Sequence, residues 1–488
     1  MRISFKTFIK IDRRKSEPIY LQIVYQFIQA VQQNLLSDGF KIPGSRVLSK
    51  ELKVHRKTVI AAIEELQLQG WVETKPAVGT FVRNPEIKNK NSGIYHLPKK
   101  ADFSFKRSFI LDSFNQQNQE KYKFTTGKPD YRIIKPEELG RFYAAALKRK
   151  RILKKSDEFL ETGNDFFKEQ LSFYINLTQG FHISKNNLLN ITNKQILLYI
   201  LTQLLITPGD QVLVANYSDD LSNMVFQQAG AKLKTIPMDE EGIRVDFIRN
   251  NFKKESIKCV YLHPKYQIPT TKNFSKKRKK DLLQLAVEYN FILIEDGGNT
   301  EFNYDKSLHL PILKLDDFGK TIYLGTFGKF LPPGFQTNFM IAPENFMQEA
   351  RKYLNIFGNV DVVKEQALAE MIAQGDIHRY RRKALKIYEL RRNKFAELLK
   401  EFFGESIKFT IPQGGLAFWV EFKENISLLK LIENCKTKKL YLPFNSLFQD
   451  KKTTALRLGF ADLNEEEMRG NLKIVKTAYQ EQINFILL

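Results

Sequence analysis

The stretch Tyr323-Leu324-Gly325-Thr326-Phe327-Gly328-Lys329-Phe330-Leu331-Pro332-Pro333-Gly334 places one lysine just after a short apolar run. An earlier run, Phe291-Ile292-Leu293-Ile294-Glu295-Asp296, ends in an acid. Short apolar runs of this kind are typical of buried strands in a parallel sheet. Ligands of such sheets gather at the carboxyl ends of the strands. We therefore expect Lys329 and Asp296 to lie in one crevice.

Two further apolar runs predict the class of the fold. Residues 211–214 and 257–262 also have the length and composition of buried strands, and helix-like stretches separate all four runs. Alternating strands and helices predict a mostly parallel sheet that is covered on both faces. We expect an α/β fold from Phe124 onward.

The first eighty residues predict three helices and a hairpin. Apolar residues spaced three and four apart predict one helix over residues 18–36. They are Leu21, Val24, Ile28, Val31 and Leu35. Ser45 is the expected cap of a short second helix, and a third begins near His55. Residues 71–74 and 80–82 predict two strands joined by a tight turn, which completes a winged helix-turn-helix.

The start of the predicted third helix carries side chains that suit contact with DNA. In a winged helix-turn-helix this helix enters the major groove, and the wing reaches the neighbouring groove or the backbone. The candidate contacts in the helices and the wing are Arg46, His55, Arg56, Lys57, Thr58, Lys75 and Gly79. Arg46 is the candidate phosphate clamp, because a guanidinium offers forked donors. The alternative is that these are ordinary solvated charges.

Composition and charge limit the classes of protein. The 488 residues are enough for two or three domains, and 43% hydrophobic residues are ample for a core. A formal charge of +23 favours a polyanionic partner without identifying it. Cys259 and Cys435 are too few for a disulfide framework or a Cys-rich metal site, and we predict no metal. The apolar runs are too short to span a bilayer, so we expect a cytoplasmic protein.

Residues 84–122 interrupt the periodic pattern and predict a long linker. Polar stretches at 88–93 and 115–119 lie within it. A docked segment around Phe103 to Phe114 is expected inside the linker, and a folded but irregular arm is the alternative. The linker separates a DNA-binding domain over residues 1–83 from the rest of the chain.

The first domain resembles the GntR family of bacterial regulators from Pro18 to Val82. The runs that fall in register are residues 42–46, 54–59, 64–72 and 79–82. His55 stands where the family usually has serine. This departure concerns base preference and leaves the resemblance intact.

The rest of the chain resembles the aminotransferase-like effector domain of the MocR regulators. These form a branch of the GntR family with the fold-type-I pyridoxal phosphate architecture. The matching runs are residues 126–130, 207–210, 239–243, 264–270, 294–296, 301–304, 323–333 and 456–461. The resemblance implies a large domain over residues 123–340, a smaller C-terminal α+β domain over residues 341–488, and a homodimer.

The resemblance also implies roles for four residues. Pyridoxal phosphate needs a lysine for the Schiff base and an acid for the ring nitrogen. Lys329 and Asp296 match these positions, and Lys329 is the catalytic candidate if the domain is active. Gln267 matches a cofactor contact. Arg457 matches the arginine that holds a ligand carboxylate, with a structural ion pair as its alternative.

Several positions depart from the family pattern. Gly298 replaces the tyrosine that bonds the ring hydroxyl, and Gln336 replaces the arginine that holds the phosphate. The phosphate-binding turn is shortened to residues 192–195, where Lys194 is the candidate compensating cation. Tyr217 is a candidate to replace, from a shifted position, the tyrosine that stacks on the ring. The departures leave open whether pyridoxal phosphate is bound.

Three functions remain open from the sequence. The first is a transcription regulator that binds an operator in double-stranded DNA and senses pyridoxal phosphate or a small amino or carboxylate effector. The second is an active pyridoxal phosphate-dependent aminotransferase with a DNA-binding head. The third is a regulator whose degenerate effector domain has lost the cofactor. Three basic clusters are candidates for further DNA contacts or simply solvated helix faces: residues 148–151, 276–280 and 379–383.

Overall fold

The computed structural model describes residues 4–84, 99–111, 120, 122–149, 163–305, 310–357 and 361–486. The chain divides into two compact units, residues 1–106 and 107–488. Across these described ranges, no helix is long and apolar enough to cross a membrane. Each unit is described by itself below.

The smaller unit is a three-helix domain with a two-stranded wing. Its elements are α1 (Ile19–Gln32), α2 (Ser45–Leu52), α3 (Arg56–Leu68), β1 (Val72–Lys75) and β2 (Gly79–Val82). The two strands pair antiparallel, with Lys75 opposite Gly79. Val24 and Val31 of α1 pack with Val59 of α3 in one buried core. The predicted winged helix-turn-helix is confirmed.

The first helix ends four residues earlier than predicted. The chain leaves α1 after Gln32, and Asn34 has a left-handed φ of 59°. Leu35, one of the five apolar residues that predicted the helix, is 50% exposed. Leu35 continues the apolar spacing of α1, and for this reason the pattern predicted a helix that is too long at its C-terminal end. Ser45 is the first residue of α2, and Gly44 holds the cap position instead.

A seven-stranded sheet forms the centre of the larger unit. The strands of this unit are β3 (Tyr122–Lys123), β4 (Leu188–Ile191), β5 (Gln211–Ala215), β6 (Lys232–Ile236), β7 (Met238–Asp239), β8 (Gly242–Ile243), β9 (Cys259–Leu262), β10 (Ile292–Asp296), β11 (Thr321–Phe327), β12 (Thr337–Ile341), β13 (Ile407–Phe409), β14 (Ala417–Phe422), β15 (Leu440–Tyr441), β16 (Leu447–Gln449) and β17 (Thr454–Gly459). The central sheet has the order β4-β12-β11-β10-β9-β5-β6. Only β12 of these seven strands runs antiparallel to its neighbours. The predicted, mostly parallel sheet is confirmed.

Helices cover both faces of this sheet. The helices of the larger unit are α4 (Pro136–Leu147), α5 (Asp165–Gln179), α6 (Lys194–Leu205), α7 (Asp220–Gln228), α8 (Val245–Asn251), α9 (Lys276–Tyr289), α10 (Glu344–Lys352), α11 (Leu354–Phe357), α12 (Val362–Ala373), α13 (Asp376–Phe403), α14 (Leu428–Thr437) and α15 (Glu465–Ile486). Val214 of β5 packs in a core with Leu197 of α6, whereas its neighbour Leu213 packs in another core with Leu282 of α9. Successive residues of a strand point to opposite faces, so one buried strand serves both helix layers.

The C-terminal part contains a second, antiparallel sheet of order β13-β14-β17-β16. Strand β3 pairs in parallel with β15, with Tyr122 opposite Leu440. Next to it, Gly459 N donates to Thr125 O at 2.7 Å. The residues that open the larger unit therefore pack against C-terminal strands.

Part of the predicted linker is held against the larger unit. Residues Phe109–Leu111 form one 3-10 turn, and Ser108 Oγ donates to Gln228 Oε1 of α7 at 2.7 Å. Residues 85–98, 112–119 and 121 of the predicted linker lie outside the described residues.

Candidate ligand site and DNA-binding surface

Neighbouring strand ends bring Lys329 and Asp296 into one crevice. Asp296, 1% exposed, ends β10 opposite Leu324 of β11, and Lys329 follows two residues after β11. The Lys329 amine donates to Asn299 Oδ1 at 2.7 Å and to Gly298 O at 3.4 Å. The structure thus gathers these two predicted site residues at the carboxyl edge of the sheet.

A buried glutamate fixes the turn that presents Lys329. Glu301 is 4% exposed, and its two carboxylate oxygens accept from Gly328 N at 3.0 Å and Lys329 N at 2.8 Å. Burial raises the pKa of Glu301, although the two amides oppose that rise. The run 301–304 matched a family pattern, but Glu301 had no predicted role, because residue spacing does not reveal which carboxylate caps a distant turn.

The Lys194 ammonium forms an ion pair with the Asp296 carboxylate. Lys194 is the first residue of α6, and its Nζ lies 2.8 Å from Asp296 Oδ2. Tyr261 OH donates to the same oxygen at 2.5 Å, and Gly298 N donates to Oδ1 at 2.9 Å. The sequence predicts Lys194 as a cation for the phosphate end. In the structure the long side chain reaches the opposite charge of the buried acid instead.

The pair shifts the pKa of both partners. Burial alone would raise the pKa of Asp296, but Lys194 and His263 outweigh it and hold that pKa well below its usual range. Burial alone would lower the pKa of Lys194, but Asp296 outweighs it and raises that pKa well above its usual range. Both side chains are therefore charged at neutral pH.

The Lys329 amine has the opposite electrostatic environment. Burial, followed by the charges of Lys194 and Arg457, lowers the pKa of Lys329 to about 8, although Asp296 and Glu301 oppose the shift. A sizeable fraction of this amine is consequently neutral just above physiological pH.

We expect Lys329 to react with acetic anhydride with half-maximal rate near pH 8. Only the neutral amine is nucleophilic, so its reactivity reports its pKa. Competitive labelling read by peptide mass spectrometry at several pH values measures the midpoint. The same lysine in urea-unfolded protein is the control, with an ordinary value of 10.5. A folded-state midpoint equal to that control would contradict the buried placement of the amine.

Arg457 is a buried cation without an acid beside it. It is 5% exposed, and it donates to Thr126 O at 2.9 Å and to Pro269 O at 2.6 Å. Burial lowers the pKa of Arg457 to about 10, with Asp219 opposing the shift. Within the described residues, no acidic side chain lies within 4.0 Å of its guanidinium. The structural ion pair considered for Arg457 is therefore not formed among these residues, and its guanidinium bonds to two backbone carbonyls instead.

Two other predicted contacts are turned toward the protein. The Gln267 amide donates to Ile268 O at 3.0 Å and to Tyr217 O at 3.3 Å, while its Oε1 is buried without a partner. The ring of Tyr217 lies 5.7 Å from that of Trp419, and Tyr217 OH donates to Asp450 at 2.5 Å. Tyr217 is thus anchored to the C-terminal sheet.

The end of the crevice expected to hold a phosphate is internally bonded. Gln336 Nε2 donates to Leu331 O at 2.9 Å, so this side chain serves the lysine turn. Asn193 caps α6 by accepting from Gln195 N at 2.8 Å. Lys364 is a buried cation nearby, and it donates to Thr192 Oγ1 at 2.9 Å. Sequence patterns did not reveal Lys364, which lies 172 residues from its partner.

These residues do not fit pyridoxal phosphate. The acid that would hold the ring nitrogen already binds the Lys194 ammonium. The residue at the position of the phosphate arginine, Gln336, is an uncharged amide bonded to backbone. Gly298 has no hydroxyl to offer the ring, and a Cβ at that position would lie 3.0 Å from Asp296 Oδ1. Apart from Lys329, these cofactor contacts are missing or already taken.

The DNA-binding candidates lie on the surface of the smaller unit. His55 caps α3 by accepting from Lys57 N at 3.2 Å, and Arg56 Nε donates to Ser45 Oγ at 3.2 Å. The remaining donors of Arg56 and the amine of Lys57 lie on exposed side chains. Arg46 at the start of α2 is also exposed.

The wing is held by its own aromatic residue. Lys75 Nζ lies 5.6 Å from the centroid of the Phe81 ring, and Lys41 Nζ lies 5.9 Å from the same ring. Gly79 has a φ of 137°, and a Cβ there would lie 2.6 Å from Lys41 Cε. The backbone angle therefore favours glycine at this place, while Lys75 is exposed for contact.

The basic clusters of the larger unit carry structural contacts. In the cluster 276–280, Arg278 pairs with Asp239 at 2.8 Å and Lys279 donates to Leu310 O at 2.8 Å. Arg149 pairs with Glu370 at 2.7 Å, and Arg379 pairs with Asp376. Residues 150 and 151 lie outside the described residues. These contacts engage Arg149, Arg278, Lys279 and Arg379 within the larger unit, which neither alternative for the clusters predicted.

Comparison with known proteins assigns both units. Residues 132–474 match the family described as Aminotransferase class I and II, and residues 19–82 match the family described as Bacterial regulatory proteins, gntR family. The chain is 25% identical over 468 residues to the uncharacterized HTH-type transcriptional regulator YdfD of Bacillus subtilis, with 94% of this chain and 95% of YdfD covered. It is 20% identical over 480 residues to the probable rhizopine catabolism regulatory protein MocR of Rhizobium meliloti, with 96% and 95% covered. The chain belongs to the family Aminotransferase class I and II and carries a gntR-family domain at residues 19–82, the combination of the MocR-type regulators.

The MocR-type chain shares the fold of its larger unit with solved aminotransferases. A kynurenine aminotransferase of Pyrococcus horikoshii, solved with PMP, has a TM-score of 0.64 and 25% identity, covering 74% of this chain and 91% of that enzyme. The larger unit therefore has the fold of pyridoxal phosphate enzymes. YdfD and MocR, which both span the two units, are named as regulators.

Proposed function

We propose that this MocR-type chain is a transcription regulator that binds double-stranded DNA through α3 and the wing. The observation that carries the proposal is the exposed start of α3, where Arg56 and Lys57 project from a gntR-family domain. Free guanidinium and ammonium donors at this place suit base edges and phosphates of the major groove. The regulator acts in the cytoplasm, where its operator lies.

We propose that the larger unit is the effector domain and recognises a small amino or carboxylate compound. Arg457 supports this proposal, because it is buried and pairs with no acid among the described residues. Burying an unpaired guanidinium is costly, and a ligand carboxylate would offset that cost. Occupancy of the site changes how the DNA-binding heads of a homodimer are presented. Phe173 and Leu177 of α5, 64% and 75% exposed, are apolar side chains that a second subunit would cover.

The test compares DNA binding with amino-group transfer in full-length protein. An operator is first selected from random duplexes, and affinity is then measured for the unmodified protein and for Lys329→Ala. We expect both to bind the operator equally, and neither to give multiple turnovers with amino donors, keto acceptors and added pyridoxal phosphate. Turnover that disappears in Lys329→Ala would establish an aminotransferase instead. If the protein enriches no sequence from the random duplexes, the proposed function as a transcription regulator is wrong.

A further inference from the structure

The Asp296 carboxylate has a full set of donors without any cofactor. Its Oδ2 accepts from Lys194 Nζ at 2.8 Å and from Tyr261 OH at 2.5 Å, and its Oδ1 accepts from Gly298 N at 2.9 Å. His263 Nε2 also lies near this carboxylate, 3.4 Å from Oδ2, but without the geometry of a hydrogen bond. The ammonium of Lys194 therefore gives Asp296 what a protonated pyridine would give: one N–H donor and one positive charge.

A cofactor ring and Lys194 compete for the same oxygen. A ring that entered the crevice would have to displace the ammonium from Asp296. The nearest remaining acid is Asp219, 3.6 Å from Lys194 Nζ. Asp219 already caps α7 by accepting from Ser222 N at 3.2 Å. Separating a buried ion pair is strongly unfavourable, so the ring would bind against this cost.

The phosphate end offers little to offset the cost. Gln336 gives its amide hydrogens to the lysine turn, and Asn193 closes the start of α6 with its own side chain. Lys364 is present, but Thr192 Oγ1 already accepts from it. Tight phosphate binding needs several converging donors and cations, and these side chains converge on the protein instead.

We propose that Lys194 is a built-in replacement for the cofactor ring, so that the effector domain works without pyridoxal phosphate. This inference rests on the proposed function, because it specifies which group neutralises Asp296 in the effector domain of the regulator. The half-buried Lys329 amine and the buried Arg457 guanidinium are then the two cations that the effector meets directly.

The test uses pyridoxal phosphate itself as the probe on full-length protein. Visible absorbance is recorded during titration, and borohydride-stable adducts on Lys329 are located by mass spectrometry. In this titration the unmodified protein should behave like Lys329→Ala, and neither should show a visible absorbance that saturates with added pyridoxal phosphate. Lys194→Ala, which frees Asp296, should gain affinity by at least about tenfold. Lys352→Ala is the matched control, because it removes a lysine from an exposed pair with Glu349.

Two outcomes would overturn the inference. One is saturable uptake on Lys329 by the unmodified protein. The other is equal behaviour of the unmodified protein and the Lys194 variant. If Lys194→Ala does not fold, Lys194→Gln replaces it, since an amide keeps a donor for Asp296 without the charge. Operator affinity is measured on the same preparations, and its loss would count against the proposed regulator rather than against the role of Lys194.

Discussion

Replacing Asp296 with asparagine is expected to destabilise the larger unit by up to about 3–5 kcal/mol, since the change leaves the Lys194 ammonium, whose side chain is 22% exposed, without its partner. Asparagine would keep the shape of the side chain but lose the charge that holds Lys194 at 2.8 Å. Thermal and urea unfolding of full-length protein, followed by near-UV circular dichroism, measures the loss.

The double variant Lys194→Met/Asp296→Asn should recover most of this stability, because the buried acid and its cation are removed together and only the longer 3.6 Å contact of Lys194 with Asp219 is lost. Glu349→Gln is the matched control, since its pair with Lys352 is exposed and should change stability little. A double variant as unstable as Asp296→Asn would show that the loss comes from packing.

The same pair predicts a dependence on pH. The folded pKa of Asp296 is held well below its ordinary value of 3.8. Its contribution to stability is therefore complete above that ordinary value and is lost as the pH falls toward the folded value. The difference between the unmodified protein and Asp296→Asn should be constant near neutral pH and shrink only in acid.

Replacing Arg56 with alanine is expected to weaken operator binding by about 1–3 kcal/mol, or roughly 5- to 150-fold. Arg56 keeps exposed donors beyond its bond to Ser45, and it stands on the first turn of α3. The loss should be larger on the operator than on random duplex, because base contacts carry sequence preference. Fluorescence anisotropy with both duplexes measures the two affinities.

Lys57→Ala provides the contrast. If Lys57 contacts phosphate, its loss should weaken binding to both duplexes alike. The slope of log affinity against log salt concentration should also become shallower by about one unit. Arg14→Ala is a control for charge, since its side chain is 94% exposed in the same unit and outside the predicted contacts. Unchanged operator affinity in Arg56→Ala at every salt concentration would remove α3 as the recognition helix.

The sequence predicted elements better than side-chain partners. Apolar runs ending at Asp296 and near Lys329 predicted two strands and the edge at which they end, because burial of a strand leaves a direct pattern in the sequence. The predicted end of α1 was wrong because Leu35 keeps the apolar spacing, although the backbone at Asn34 is no longer helical.

The partner of Lys194 could not be predicted in the same way. Its amine reaches an acid 102 residues away, from the start of a helix to the end of a strand. Such a contact depends on how the two elements are placed in three dimensions. Glu301 is a similar case, since it bonds backbone amides 27 and 28 residues further along the chain.

The guanidinium of Arg457 also ties two parts of the chain together. It donates to Thr126 O, four residues after Tyr122, where the chain from the DNA-binding head joins β15. Upstream, Ser108 is fastened to α7 through Gln228. The same Arg457 guanidinium also donates to Pro269 O, so one side chain of β17 joins the segment that opens the larger unit to the loop after β9.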